Sequence, residues 1–416
     1  MMQMKREKKK NKKRFWVRKV YAERLQKGEF HLLVQDLRLH DQEYFFKYFR
    51  MSPTTYKELL LFVAPVIVKQ RTTMRDPVSP SERLAVTLRF LVTGDAQCTI
   101  AASYRISAST ISRIISETCA AIWSSLKERN YLHVPSEKQE WKTIAKEFEN
   151  MWNFPHAIGA IDGKHIVMQA PHNSGSEYFN YKKTHSIVLL AVCNAKYEFT
   201  MVDIGDSGRQ SDGSVFNNCS LGYAIENNKL NIPDPEKIGN SDKILPYVLV
   251  ADDAFGLKRH MMKPYPNQNI LLKQKIFNYR LSRARRVIEN TFGIATSRFR
   301  IFRRPIIANL EKVILVTQAI VALHNFLMKK RSANNYFYCP TNYTDIDGPA
   351  GFRPGDWRQD NSCSSALQPL SSGSNNYSKD AKQVRDDFKE YFNSPEGELK
   401  WQLDLVNHKE IALKNC

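Results

Sequence analysis

The chain has 416 residues, with 62 Lys and Arg against 42 Asp and Glu and a formal net charge of +20 at pH 7. This length is sufficient for two or three domains with sizeable cores. No apolar run reaches the roughly 18 residues of a membrane span, and no apolar signal core follows the basic N-terminus, so we expect an intracellular protein that does not enter a membrane. Seven cysteines without a Cys-x-x-Cys pair argue against a disulfide framework or a zinc finger.

The excess positive charge is concentrated in two segments. Residues 1–14 carry eight Lys and Arg and one acid, and residues 258–304 carry thirteen Lys and Arg and one acid, Glu289. Blocks of like charge are usually solvated tails or nucleic-acid contacts. The first block predicts a disordered basic arm over residues 1–39 that serves as a nuclear-import signal or binds DNA, with a merely solubilising tail as the alternative. We therefore expect the nucleus as the main location, with the cytoplasm as an additional one.

Residues 40–135 lack strand-like alternation and are predicted to be helical. Ser52-Pro53 opens one helix, and Pro77 and Pro80 precede a second, from Glu82 to Val92. The segment Thr99–Ile115 then predicts a short helix, a turn and a longer helix, the outline of a helix-turn-helix.

The second helix of this pair has the pattern of a DNA-recognition helix. Ser107 or Ser109 is available as its N-cap. Its three isoleucines would turn inward, whereas small polar residues and Arg113 would face outward, as in a helix that enters the major groove. A helical hairpin that packs on the next domain would look similar, and both readings stay open.

From residue 136 to 330 the pattern changes to strands followed by helices. Long helices are predicted over residues 276–296 and 310–330, so the domain is expected to be α/β, with a mixed sheet covered by helices. Residues 331–376 are rich in Ser, Asn, Pro and Gly and predict a flexible linker. A helix from Lys379 to Phe392 is expected in a C-terminal tail over residues 377–416. The predicted strands are Ala157–Ala170, His185–Cys193, Glu198–Ile204 and Tyr247–Ala251.

Four acids fall at the strand and helix ends of this domain. Asp162 interrupts a buried strand, where an unpaired carboxylate is costly and a cation is expected nearby. Asp252 follows a buried strand, and ligands of sheet-helix proteins often collect beyond such ends. Asp212 stands at the start of a predicted helix, and Glu289 lies beside the apolar stripe of another. Oxygen ligands from such distant segments suit Mg²⁺ or Mn²⁺.

Each acid also has a purely structural explanation. Asp212 could cap a helix, and Asp162 could pair with Lys164 or another cation. Glu289 could pair with Arg285 or Arg286, which precede it by one helical turn. Taken singly, each explanation competes with a metal site on equal terms, but the basic helix beside the acids favours the metal site.

Several motifs occur together in the order found in one family. The chain resembles the PIF/Harbinger DDE transposases and the nucleases domesticated from them, over roughly residues 40–330. This resemblance implies an RNase H-like catalytic core preceded by the helix-turn-helix region. The motifs are Ala160-Ile-Asp-Gly163, Tyr178–Ile187 continuing to Ala191–Asn194, Asp212-Gly-Ser-Val-Phe216, Ala251-Asp-Asp-Ala-Phe255 and Val287-Ile-Glu-Asn-Thr-Phe-Gly293.

The resemblance also implies roles for the acids. Asp162, Asp252 and Glu289 correspond to the catalytic triad, and Asp212 is a further acidic position that could bind metal. The chain departs from the family at the second acid, where the family often has Gly-Asp-Ser-Gly-Tyr. The register favours Asp252, with Asp253 as the alternative.

The implied function is cleavage of DNA phosphodiesters, and their rejoining at transposon ends, with Mg²⁺ or Mn²⁺. The alternatives are a DNA-binding or chromatin regulator that keeps the fold without cleavage, and a scaffold for a partner protein. A separately encoded Myb/SANT-like partner is implied, and a homo-oligomer stays open. Seven arginines are predicted to contact DNA, mostly at phosphates that position it without reading sequence: Arg113, Arg285, Arg286, Arg298, Arg300, Arg303 and Arg304.

Overall fold

The structure, a computed structural model, describes residues 17–73, 76–210, 212–330, 338–360, 366–369 and 378–407. The basic run of residues 1–14 therefore lies outside the described residues. The predicted disorder of residues 1–39 is wrong for residues 19–39, which are largely helical. Phe30, Val34 and Leu37 are buried there, because their spacing puts them on one face of the chain as it coils.

The N-terminal region is helical up to residue 152. Ser52, Ser79 and Ser107 accept hydrogen bonds from backbone amides as N-caps, and proline follows the first two of them at the first helical position. A π-helical turn spans Phe30–Val34. The helices are α1 (Lys19–Ala22), α2 (Arg24–Lys27), α3 (Gln35–His40), α4 (Gln42–Phe49), α5 (Pro53–Ile67), α6 (Pro80–Thr93), α7 (Gln97–Tyr104), α8 (Ala108–Glu128) and α9 (Lys138–Trp152).

The predicted helix pair is formed by α7 and α8. Arg105 ends α7 in the left-handed conformation, with φ 53°, and Ser107 caps α8. Ile111, Ile114 and Ile115 are fully buried and Arg113 is exposed, as the pattern predicted.

The sheet has the order β3-β2-β1-β6-β7, with β10 also paired to β1. The first three strands form an antiparallel meander, whereas β6 runs parallel to β1 and β7 runs parallel to β6. The strands are β1 (Ala157–Met168), β2 (His185–Cys193), β3 (Phe199–Ser207), β4 (Glu236–Lys237), β5 (Ile244–Leu245), β6 (Val248–Val250), β7 (Met261–Met262), β8 (Ile346–Gly348), β9 (Gly351–Arg353) and β10 (Leu367–Pro369).

Helices cover this mixed sheet, which confirms the predicted α/β class with a helical N-terminal region. Two long helices, α12 and α13, lie on it, and α13 packs between β3 and α8. By length and composition α13 would suit a membrane span, but 67% of that window is buried, so we assign α13 to the core. The remaining helices are α10 (Asp212–Asn218), α11 (Ser220–Glu226), α12 (Leu272–Arg298), α13 (Leu310–Lys329), α14 (Trp357–Asp360) and α15 (Lys379–Phe392).

Residues 338–360 and 366–369, which we name the strap, are folded, so the predicted flexible linker is wrong for them. Tyr338 is buried, and Asp347 accepts hydrogen bonds from Tyr279 and Arg286 of α12 at 2.9 and 2.5 Å. Strand β10 then pairs antiparallel with β1. The packing of the strap on the sheet domain was not predicted, because its sequence is polar and has little periodicity. Only a few aromatic and acidic side chains hold it in place.

We predict that Asp347→Asn destabilises the protein by about 3–5 kcal/mol, because it leaves the buried Arg286 cation without its carboxylate. Urea unfolding at neutral pH measures the change. Asp356→Asn, at an exposed acid of the same segment, is the control and should change the free energy of unfolding by less than about 0.5 kcal/mol. Equal stability of the two variants would contradict the proposed anchoring.

Candidate active site

The parallel pairing of β1 and β6 brings Asp162 and Asp252 side by side. Ala160 pairs with Val250, and the two acids stand two residues further along each chain. Residues two apart share a face, and neighbouring strands are about 4.8 Å apart, so both carboxylates belong to one face at one level. Helix α12 covers this face, since Ala160 and Val250 pack in the same core as Val287.

Asp252 behaves as a carboxyl group in a crowded negative site. Burial and, to a lesser extent, the charge of Asp162 raise its pKa to about 6, although Arg285 opposes both. Its Oδ1 accepts a hydrogen bond from the Ala254 amide at 2.9 Å. The adjacent Asp253 is exposed. The alternation of side chains therefore directs Asp252, and not Asp253, toward Asp162.

Asp162 is buried and pairs with a lysine of its own strand. Its Oδ1 accepts from the Gly163 amide, and its Oδ2 lies 2.7 Å from Lys164 Nζ without a well-oriented hydrogen bond among the described residues. Burial lowers the pKa of Lys164, but Asp162 and, more weakly, Glu289 outweigh it and raise that pKa overall. The charges of two of the three predicted catalytic acids, Asp162 and Glu289, therefore act on Lys164.

Glu289 enters the same site from α12. Its Oε1 lies 2.6 Å from Arg285 Nη2, one turn earlier on the helix, and both side chains are partly exposed. Arg285 also acts on the pKa of Asp252 and of Lys164. Asp162, Asp252 and Glu289 therefore share one electrostatic environment, in which Lys164 and Arg285 are the compensating cations.

Asp212, the fourth predicted acid, begins α10, but its side chain lies outside what the structure describes. Over the described residues, no group of three or more His, Cys, Asp or Glu side chains is arranged to hold a metal ion. In this arrangement Asp162 and Glu289 are directed at Lys164 and Arg285, the two pairings that the sequence offered as structural alternatives.

Residues 161–325 match the model of the DDE superfamily endonuclease family, and this range contains all three acids. The chain contains a DDE superfamily endonuclease domain. This confirms the family resemblance seen in the motifs. No solved structure matches the chain.

The chain is also similar to several individual proteins. Protein ALP1-like of Arabidopsis thaliana is 27% identical over an aligned region that covers 63% of this chain and 64% of the relative. The Arabidopsis thaliana protein Antagonist of Like Heterochromatin Protein 1 is 24% identical over 69% of the chain and 74% of its own length. The Bos taurus protein named Putative nuclease HARBI1 is 25% identical over 54% of the chain and 59% of its own length.

Two residues of the motif around Glu289 dock the strap on the endonuclease domain. The buried Asn290 accepts hydrogen bonds from the Asp345 amide at 3.0 Å and from Trp357 Nε1 at 2.8 Å. At Gly293 a Cβ would lie 2.4 Å from the Trp357 ring, so only glycine leaves room for it. The prediction from sequence rested only on Glu289 of this motif. Asn290 and Gly293 could have indicated that another segment of the chain packs against this helix.

The seven predicted DNA-binding arginines separate into three groups: three that are exposed, two that pair with an acid, and two that have mainly internal contacts. Arg113, Arg300 and Arg304 are exposed. Arg285 pairs with Glu289, as described above. The predicted DNA contact of Arg286 needs correction, because this buried side chain is engaged by Asp347.

Arg298 and Arg303 form the third group and have mainly internal contacts. Arg298 donates to the Tyr338 carbonyl at 2.7 Å and stacks 4.1 Å from the centre of the Tyr343 ring. Arg303 donates to the Ser297 carbonyl at 3.0 Å. We therefore give both a structural role in this arrangement.

We predict that Asp252→Asn stabilises the protein at pH 7.5 and has little effect on stability below pH 4. The pKa of Asp252 is near 6 in the folded protein against an ordinary 3.8, so above pH 6 only the folded state bears the cost of this charge. The gain should be about 1–3 kcal/mol and should fade as pH falls through 6 toward 4. Thermal unfolding across this range measures it.

Asp253→Asn, at the exposed neighbour, is the matched control and should change stability little at either pH. A loss of stability at pH 7.5 in the Asp252→Asn protein would contradict the crowded-carboxylate description.

Proposed function

We propose that the chain is a divalent-metal-dependent DNA endonuclease whose catalytic residues are Asp162, Asp252 and Glu289. The observation that carries the proposal is that Asp162 on β1 and Asp252, two residues beyond the end of the paired strand β6, stand side by side, with Glu289 in the same electrostatic environment. Strand joining at transposon ends is the finer form of the proposal, since a 3′-hydroxyl can replace water as the attacking group.

The donor set suits Mg²⁺ or Mn²⁺. All three side chains offer carboxylate oxygens, the ligands that hard divalent ions prefer. Among the described residues, the buried Asp162 Oδ2 is held only by its ion pair with Lys164, at 2.7 Å. When bound, such ions activate the attacking oxygen and stabilise the leaving oxygen of a phosphodiester. Asp162, Asp252 and Glu289 would hold them.

The cations of the site have a role of their own. Lys164 and Arg285 pair with Asp162 and Glu289 in this structure, and both cations would be freed if the acids turned to a divalent ion. Arg285 is partly exposed and could then pair with a phosphate oxygen of the DNA strand. Asp252 holds a proton below about pH 6, so activity should fall as pH drops through that value.

A DNA-binding regulator without cleavage activity is the second candidate. It is favoured by the ion pairs that Asp162 and Glu289 already make with Lys164 and Arg285. The name of one relative, Antagonist of Like Heterochromatin Protein 1, refers to heterochromatin and not to a nuclease. Metal-dependent cleavage separates the two candidates.

We predict that replacing Asp162, Asp252 or Glu289 singly by Ala lowers Mn²⁺-dependent nicking of plasmid DNA at least about 100-fold, because each removes a ligand of the ions. DNA affinity should stay within a few-fold of wild type. Asp212→Ala should be milder. Asp253→Ala is the neighbouring control and should retain activity. Full nicking by the Glu289→Ala protein would refute the assignment of this acid.

We predict that Arg300→Gln and Arg304→Gln each lower the slope of log K against log salt for DNA binding by up to about one unit, since each exposed guanidinium would release close to one counterion. Arg298→Gln is the comparison. It should lower thermal stability and leave the slope unchanged, because Arg298 is engaged by Tyr338 and Tyr343. An unchanged slope in the first two variants would remove them from the DNA interface.

A further inference from the structure

A cavity of about 700 Å³ opens beside the second catalytic acid. It lies between Asp252 and Asp253, the loop of residues 264–270, one face of α12, and Val406 of the C-terminal tail. Its volume falls in the range of pockets that enclose small organic groups. Neither the acids nor the predicted phosphate contacts require such a cavity.

One face of α12 connects the cavity to the acids. Ser282, Arg285 and Glu289 are three and four residues apart and therefore share this face. Ser282 and Arg285 line the cavity, whereas Glu289 belongs to the acid site. The rise of the helix puts Ser282 about 10 Å along the axis from Glu289. One DNA strand would therefore fit along this face, with a phosphate at the acids and a neighbouring chemical group of the same strand in the cavity.

The walls combine apolar surface with a few polar groups. Ile270, Leu281 and Val406 are apolar, whereas Asn267 and Ser282 carry hydrogen-bonding side chains. Over the described parts of the chain, the side chains of Asn267 and Ser282 make no hydrogen bond. Apolar walls with two unused polar groups suit a planar heterocycle that has hydrogen-bonding edges.

We propose that this cavity receives a nucleobase that is unstacked from the DNA next to the phosphate at Asp162 and Asp252. This inference rests on the proposed function for the position of the strand. Arg285, which lines the cavity and lies one helical turn from Glu289, would hold the intervening phosphate. A base that is mismatched leaves the stack at the lowest cost, so the cavity should give the protein a preference for locally unpaired DNA.

The test compares two DNA duplexes that differ only in one mismatched base pair containing 2-aminopurine. Binding is measured with Ca²⁺ in place of Mg²⁺ or Mn²⁺, so that the acids can hold a divalent ion while cleavage is suppressed. We expect the wild-type protein to bind the mismatched duplex about tenfold more tightly, with a rise in 2-aminopurine fluorescence as the base leaves the stack. Ser282→Trp, which places a bulky ring in the cavity beside Arg285, should reduce this ratio to about one and abolish the fluorescence rise.

Two further variants keep the test independent of folding. Asn267→Ala, at an exposed loop residue, should lower the preference without affecting thermal stability. Leu272→Trp, at an exposed residue in the first turn of α12 and outside the cavity, should bind like wild type. Equal affinity of the wild-type protein for both duplexes would overturn the proposal, as would an unchanged preference in both Ser282→Trp and Asn267→Ala.

The mismatch test can succeed or fail independently of the proposed endonuclease function. Nicking of matched DNA with Mn²⁺ by a protein that shows no mismatch preference would leave the endonuclease proposal intact and reject the base cavity. A mismatch preference in a protein that never nicks DNA would support the cavity in a DNA-binding protein and reject the endonuclease.

Discussion

The like charge of Asp162 and Asp252, held on adjacent parallel strands under α12, is the constraint around which this region is organised. Two carboxylates that share partly dry surroundings repel each other and lose hydration, so the fold must provide positive charge. Lys164 and Arg285 provide it. The same need for positive charge would draw a divalent ion to the site. Burial and the charge of Asp162 together raise the pKa of Asp252 to about 6.

Much of the positive charge of α12 serves the fold and not DNA. Arg280, Arg283 and Arg286 are all buried. They donate to Gly397 and Gln402 of the tail, to Asn153 and to Asp347 of the strap. These contacts fix the helix that carries Arg285 and Glu289. A long basic run can therefore divide its charges, with one helix face anchoring the surrounding segments and another facing the substrate.

Local pattern predicted the parts of the site that depend on neighbouring residues. The strands around Asp162 and Asp252, the helix of Glu289 and the pairing of Glu289 with Arg285 all follow from hydrophobic period and helical spacing. The strap could not be predicted in this way, because its few anchors find their partners far away in the chain, as Asp347 does at Arg286. The burial of Arg286 was missed for the same reason, since a run of arginines gives no local sign of which ones face a buried acid.

The central claim is that Asp162, Asp252 and Glu289 together bind a divalent ion. Electron paramagnetic resonance of Mn²⁺ titrated into the purified protein at pH 7.5 tests it most directly, because free and bound Mn²⁺ are counted without reference to catalysis. The account predicts bound Mn²⁺ in the wild-type protein, weaker binding at pH 5 as Asp252 takes up its proton, and a large loss in Asp162→Asn, Asp252→Asn and Glu289→Gln. Equal Mn²⁺ binding in wild type and all three variants would contradict it.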